Sequence, residues 1–518
     1  MEKKRLIWIV DFGSQYTQLI TRKTRELGFS SEIITFDDCQ ERFLKNDRPE
    51  ALVLSGGPQS VFDDQTDYSF IFDQDKLPIL GICYGMQLIG KHFGGTVEKG
   101  TLGEYGHATI EILDGQKITG CPSEINVWMS HSDHVVIPPQ DFEILMKSHN
   151  NLIACIKHKK RPLMGLQFHP EVEHSEHGKD ILDSFYAEMA GLEKDWTEEQ
   201  MLKEAKDLVT GIGDSKVLCA FSGGVDSLVA ATLSHEVIGE NLHCFFVDNG
   251  LLRPQDYNHI DLLKEKTPLN IEIIDAKEIF YKALKDLSEP EQKRKAIGRT
   301  FIEIFEQKVH DYEKSHGFKF EYLLQGTLYP DVIESISPHK KGGKSVTIKS
   351  HHNVGGLPER MNMKLLEPLR LLFKDEVRKI GLELNLNPDW VYRHPFPGPG
   401  IGIRIMGEVI PDRVRIVQQS DQVLFEELHN FNLYQAIWQA FTVHLPVKTV
   451  GVKGDARAYE EVVCVRLVNS SDGMTAIWSD VPQKFLQKVS SRIVNEVEGI
   501  TRVVYDITSK PPGTIEWE

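Results

Sequence analysis

Apolar residues fall in short unbroken runs in the first third of the chain, at 6–10, 32–35, 51–54, 78–82 and 163–168, each closed by glycine or a polar turn. Between them the apolar spacing lengthens to that of a helix, as over 86–92. Buried strands alternating with helical segments are the pattern of an α/β layered domain. From 193 to 213 the texture becomes acidic and apolar-periodic, and is read as a linker and a helix that opens the next region. A second series of runs follows at 216–221, 242–247, 271–274 and 322–325, with helical segments at 228–238 and 257–266 between them, as right-handed parallel crossovers require. After 394–400 a smaller α+β region is predicted, with strands at 461–468 and 502–507 around a helix at 483–497. The expected fold is thus α/β: two doubly wound domains with mainly parallel central sheets, 1–192 and 193–393, and a small α+β domain, 394–518. The stretch 337–358 is rich in Gly, Lys and His without periodicity and is read as a mobile loop.

A length of 518 residues exceeds what one hydrophobic core supports, in agreement with several domains. Apolar residues at 41% and charged residues at 26% are those of a soluble globular protein. The net charge of -17 argues against a long nucleic-acid footprint, which needs clustered Lys and Arg, but leaves room for a small anionic ligand held by local donors. The cysteines 39, 83, 121, 155, 219, 244 and 464 are scattered, odd in number and without metal-ligand spacing, so neither a disulfide framework nor a zinc site is expected. The run 6–10 is too short for a secretory core or a membrane span. A reducing, cytoplasmic setting without membrane or nucleic-acid partners follows as the expectation.

Two places carry chemistry. Gly81, Cys83 and Gly85 follow an apolar strand and precede a helical run, the context of a sharp strand-to-helix elbow that lifts a nucleophile above the sheet edge. A helix N-terminus beside the sulfur favours thiolate. A lone cysteine after a strand is more often a small buried residue, but two further motifs shift the balance. Ser55, Gly56, Gly57 and Pro58 end another strand and can offer N–H groups to an oxyanion, while His169, Pro170 and Glu171 supply a base and a carboxylate to orient it.

The second place is Ser222, Gly223, Gly224, Val225, Asp226 and Ser227, joining a strand to a helix so that backbone amides and the helix dipole face an anion. The G-K-[ST] ending of a Walker loop is absent. Three acidic or basic positions stay open on residue chemistry alone. Asp248, at the next strand end, reads equally as a helix cap or a nucleotide contact. Asp331 and Glu334 read as metal or nucleotide contacts or as solvated loop acids. Lys374 reads as a counter-charge for phosphate or as part of a capping and salt-bridge cluster.

The elbow at 81–87, G-I-C-Y-G-M-Q, and the downstream H-P-E at 169–171 resemble class I glutamine amidotransferases. The resemblance implies that Cys83 attacks the side-chain amide of glutamine, His169 shuttles the proton and Glu171 orients the imidazole. It likewise implies Gly57 and Tyr84 as oxyanion donors and Gln87 as part of the glutamine site. The hexapeptide 222–227 resembles the pyrophosphate loop of the ATP pyrophosphatase family, which cleaves ATP between its α- and β-phosphates. That resemblance implies ATP as co-substrate and Mg²⁺ as cofactor, with Asp226 and Asp331 as candidate metal contacts and Asp248 and Lys374 in the ATP site.

The domain order, and the strings at 349–356, 394–400, 451–457 and 510–518, are similar to those of the GMP synthetase family. Its members are ligases that use glutamine, XMP and ATP to make GMP, AMP and pyrophosphate, and they form homodimers through the C-terminal domain. Arg299, Asp455, Arg457, Lys510 and Glu516 are the XMP contacts that this resemblance implies. The triad-type amidotransferase separates the chain from NAD, asparagine and argininosuccinate synthetases, which share the likeness of the pyrophosphatase module.

Overall fold

Strand β1 (Ile7–Asp11) has four buried residues in succession because both of its faces are covered: Ile7 and Ile9 enter one core, Trp8 and Val10 another. The same alternation splits β3 (Ala51–Leu54), with Ala51 and Val53 in the first core and Leu52 and Leu54 in the second. With β2 (Ser31–Thr35), β4 (Ile79–Ile82) and β9 (Leu163–Leu166) these strands form the parallel part of a nine-stranded sheet, in the order β2-β1-β3-β4-β9. Strands buried on both faces read as continuous apolar runs, which is why the sequence shows them plainly. Each buried aliphatic side chain contributes about 1.5–3 kcal/mol, so packing on both faces holds rigid the strand ends on which chemistry can be mounted. Beyond β9 the sheet continues antiparallel through β8 (Ile153–His158), β7 (Phe142–Ser148), β5 (Thr96–Ile112) and β6 (Glu124–Ile137).

The computed structural model describes residues 6–335, 362–453, 456–470 and 475–518. The loop expected at 337–358 lies outside the described residues. The described chain forms two compact units, one on residues 6–201 with 333–335 and one on 202–332 with 362–453, 456–470 and 475–518.

In the second unit a five-stranded, wholly parallel sheet has the order β12-β11-β10-β13-β14, from β10 (Val217–Ala220), β11 (Leu242–Asp248), β12 (Ile271–Asp275), β13 (Tyr322–Leu324) and β14 (Lys364–Leu366). The chain winds outward to β12 and then returns to the other side of β10. The crevice between the carboxyl ends of β10 and β13 is therefore the topological switch point, where open α/β sheets bind ligands. A 27-residue helix, Pro290–His316, packs on this sheet through Ile297 and Phe305. The same core runs on into Ile401, Ile405 and Val417.

A third sheet pairs β15 (Gln439–Lys453) antiparallel with β16 (Ala456–Asn469), which also pairs with β17 (Ile477–Trp478) and, in parallel, with β18 (Ile500–Tyr505). The helices Pro411–Asn430 and Gln483–Glu496 cover it through Leu424, Leu428, Phe485 and Ile493. Among the described residues no helix is long and apolar enough to cross a membrane.

Candidate active sites

β4 runs into Cys83, whose φ of +53° and ψ of −103° lie outside the regions that an L-residue prefers. Such strain persists only where the surroundings over-determine it. The Cys83 N–H donates to the Leu166 carbonyl of β9 at 2.7 Å, and the helix Tyr84–His92 begins at the next residue. Close approach explains the flanking glycines. A Cβ on Gly81 would lie 2.5 Å from the Gly85 backbone, and one on Gly85 would lie 2.4 Å from the Leu54 carbonyl oxygen. The turn places the sulfur at the sheet edge against a helix first turn, whose N–H groups have no intrahelical acceptor.

His169 and Glu171 follow β9, and their Nδ1 and Oε1 atoms are 2.8 Å apart. Burial works against protonation of the ring, but the Glu171 carboxylate and a hydrogen bond with Cys83 raise its pKa to about 10. With Nδ1 turned to Glu171, Nε2 is left for the sulfur. The His169 N–H donates to the Trp128 carbonyl at 3.0 Å. Ser175 Oγ donates to the His169 carbonyl at 2.6 Å and accepts the Trp128 N–H at 2.9 Å, so the base is clamped to β6.

Cys83, His169, Gly57, Tyr84 and Gln87 line one cavity of about 410 Å³. Gly57 is pressed against the residue that follows β1, since a Cβ there would lie 2.8 Å from the Phe12 carbonyl oxygen. Gln87 donates its Nε2–H to the Asp133 carbonyl at 2.7 Å, which ties the elbow helix to β6. The Tyr84 hydroxyl donates to Asp64 at 2.5 Å; burial works against that carboxylate's charge, but Tyr68 and Tyr84 hydrogen bonds hold its pKa at about 2.

Two contacts to the sulfur were missed from sequence. Fully buried Gln167 donates Nε2–H to Cys83 Sγ at 3.8 Å, and the Ser130 carbonyl accepts from the thiol at 3.7 Å. A glutamine inside the apolar run 163–168 was the available signal for the first. Ser130 acts through its main chain, which no side-chain motif reveals.

At the switch point, Ser222 to Ser227 form a tight turn into the 14-residue helix Val225–Ile238. Ser222 and Ser227 share a hydroxyl hydrogen bond at 3.0 Å, and the Gly224 N–H donates to Ser222 Oγ at 3.3 Å. Gly223 has φ +72° and a space that a Cβ would overfill, 2.4 Å from Ile260. Gly326, after β13, approaches so closely that its Cβ would lie 2.9 Å from the Asp226 backbone. Lys374, first residue of the helix Lys374–Glu383, places Nζ 2.7 and 2.6 Å from the two carboxylate oxygens of Asp226. The lysine is thus ion-paired with the turn at 222–227.

Asp248 Oδ1 accepts from the Gly250 N–H at 3.0 Å and the Tyr257 hydroxyl at 2.9 Å, and Oδ2 faces Lys277 at 3.1 Å. Asp331 accepts the Leu328 N–H at 3.0 Å at the start of its own helix. The side chain of Glu334 lies outside the described residues, as does Asp455. Among the described residues no three His, Cys, Asp or Glu converge as metal ligands. A divalent ion carried mainly by phosphate oxygens needs only one or two carboxylates, and Asp226 in the turn meets that requirement.

The C-terminal candidates are spread over separate elements. Arg299 is exposed on the long helix, 3.9 Å from Glu303. Arg457 opens β16, and the main chain of Lys510 pairs with Ala476. Glu516 is gripped by fully buried Arg404 at 2.8 and 3.1 Å and by Gln439 at 2.8 Å. Fully buried Lys293 pairs with Glu518 and donates to the Ile405 carbonyl at 2.7 Å. Arg466 donates to the Thr508 and Thr514 carbonyls at 2.5 and 3.0 Å. The tail is thus docked by three buried cations, none of them in the motifs.

A cysteine-histidine-glutamate site on one α/β unit and a glycine-rich turn at the switch point of another are the arrangement of a two-site amidotransferase ligase. Family models agree: "Glutamine amidotransferase class-I" matches residues 8–189, "Phosphoadenosine phosphosulfate reductase domain" 216–320 and "GMP synthase C terminal domain" 426–517. Relatives described as GMP synthase [glutamine-hydrolyzing] match end to end. That of Thermosipho melanesiensis is 48% identical, covering 99% of this chain and 100% of the relative. Those of Aquifex aeolicus (49%, 100% and 100%) and Helicobacter pylori (52%, 99% and 100%) are as similar. The chain belongs to the glutamine-hydrolysing GMP synthase family.

Proposed function

We propose that the chain carries out glutamine-dependent GMP synthesis: glutamine, XMP, ATP and water give glutamate, GMP, AMP and pyrophosphate. The observation that carries the first half is the strained Cys83 beside the His169–Glu171 pair in one cavity. Cys83 Sγ attacks the amide carbon of glutamine, and its proton passes through His169 Nε2 to the departing ammonia. Gly57 and the N–H of Tyr84 stabilise the oxyanion. Water then releases glutamate from the thioester by the same base, while Gln87 and Gln167 hold the helix and the sulfur in register.

In the second half, an oxygen of XMP attacks the α-phosphorus of ATP, and pyrophosphate leaves into the amides and hydroxyls of Ser222–Ser227. Ammonia then displaces AMP. Mg²⁺ would neutralise charge on the phosphates when bound, and Asp226 would be the residue that holds it. Lys374, which pairs with Asp226 here, turns to the phosphate oxygens as the nucleotide enters. Lys510, Arg457, Arg299 and Asp455 remain our proposed XMP contacts, with Glu516 fixing the segment that carries Lys510.

We assign residues 1–192 to glutamine hydrolysis, 193–393 to ATP cleavage and 394–518 to XMP binding and self-association. Val447, Val450, Val452 and Tyr459 are 51–75% exposed along the β15–β16 hairpin, and a second copy would cover them in a homodimer. Mass spectrometry of products after mixing the protein with glutamine, XMP, ATP and Mg²⁺ tests the reaction. GMP with AMP is expected; ADP in place of AMP, or no GMP, would refute it.

A further inference from the structure

Behind the turn at 222–227, the second unit contains a cavity of about 860 Å³ between the helices Pro254–Lys266, Pro388–Val391 and Pro411–Asn430. On its floor buried Arg253 holds Asp256 through Nε and Nη2 at 2.8 and 3.0 Å, Arg393 holds the same carboxylate at 2.6 Å, and Asp421 acts on Arg253 as a second acid. The other acids of the wall are Glu426, engaged by Arg492 at 2.7 Å, and Asp389, exposed at the rim. Burial and these arginines push the neighbouring His259 and His394 down to about 4, so neither adds charge.

Three residues that line the cavity each have a buried polar atom without a hydrogen-bond partner: Arg253 Nη1, Gln255 Nε2 and His394 Nδ1. Leaving such groups unpaired is costly. The first two are donors and call for an acceptor or an anion. His394 Nε2–H donates to the Tyr434 carbonyl at 2.8 Å, so Nδ1 of the neutral ring is an acceptor and calls for a donor. Trp390 and Tyr434 add flat aromatic wall. An anionic end, a donor and a planar apolar face are the combined features of a nucleotide.

We propose that this cavity is a further nucleotide site, beside those for ATP and XMP, that takes a purine mononucleotide, with its phosphate at Arg253, Gln255 and Arg393 and its base against Trp390. The choice of purine rests on the products of the proposed reaction. Occupancy is linked to the ATP turn through His259, a wall residue whose Nε2–H donates to the Gly223 carbonyl at 3.1 Å. The site is therefore regulatory: a mononucleotide that moves His259 moves the turn that receives pyrophosphate.

Equilibrium dialysis of the full-length protein with labelled GMP and AMP, alongside guanosine and inorganic phosphate, tests this. At least one mononucleotide should bind at two sites per chain. Trp390→Ala and Arg393→Gln should weaken the second site about tenfold or more while the first is unchanged, and Trp390→Phe should retain it. One site per chain for both nucleotides would overturn the proposal, as would two undiminished sites in both Trp390→Ala and Arg393→Gln. If inorganic phosphate displaces the second nucleotide at equal concentration, the cavity is an anion site and the nucleotide assignment fails. Product formation is measured separately, so a protein that makes GMP with one site refutes this inference alone.

Discussion

His169 Nδ1 lies 2.8 Å from Glu171 Oε1, and the two side chains are 4% and 0% exposed. Residues two apart after a strand meet this way because the intervening Pro170 bends the chain and β6 clamps the His169 main chain through Trp128 and Ser175. The carboxylate turns a buried imidazole, which desolvation alone would keep neutral, into a strong base.

Replacing Glu171 by Gln should therefore lower glutaminase activity about 10²- to 10⁴-fold. It should also return the His169 titration from about 10 towards its ordinary 6.5, as read by NMR of the labelled imidazole. The sign for stability follows from the raised folded-state value. The pair's contribution is fully present below pH 6.5 and is lost as pH rises through about 10, so the alkaline loss should be smaller in the variant.

Cys83→Ala should abolish glutamine-dependent synthesis, by about a thousandfold or more, while ammonium at millimolar concentration still supports GMP formation. Parallel assays with the two nitrogen donors decide it. Loss of both activities would show that the division of labour between the units is wrong.

Gly85→Ala places a methyl group 2.4 Å from the Leu54 carbonyl oxygen, a backbone atom that cannot swing aside. A cost of about 1–3 kcal/mol in stability is expected, with slower alkylation of Cys83 as the elbow shifts. Thermal unfolding and iodoacetamide labelling measure the two effects.

Removing residues 516–518 takes Glu516 from Arg404, which keeps Asp421 at 3.5 Å, and leaves buried Lys293 without its carboxylate partner Glu518. Stranding a buried charge costs about 3–5 kcal/mol. A large fall in the unfolding midpoint is expected; an unchanged midpoint would mean that the tail is not docked in solution.

His259 and His394 are held down to about 4 by burial and neighbouring arginines. The unfolded chain then binds more protons between pH 6.5 and 4, so stability is full above 6.5 and falls as pH drops through that window. Each contributes roughly 3 kcal/mol, at about 1.4 kcal/mol per pKa unit. Denaturant titrations at several pH values should show a shallower acid limb for His394→Gln.

Where both faces of a strand are covered, the sequence alone determined the element: 51–54 is predicted and observed as Ala51–Leu54. The elbow at Cys83, the turn at 222–227 and the H-P-E were legible because local backbone geometry demands particular residues at fixed spacing. The antiparallel extension β5–β8 was not seen, because strands such as β6 alternate buried and exposed residues and carry weaker runs. Only the tertiary structure decided that Lys374 meets Asp226, 148 residues away, and that Gln167 and the Ser130 carbonyl close on the sulfur. It also decided that Lys293, Arg404 and Arg466 dock the last residues of the chain. Such pairings depend on which elements the sheets bring side by side, and long-range Coulomb and hydrogen-bond partners leave no periodic trace along a chain.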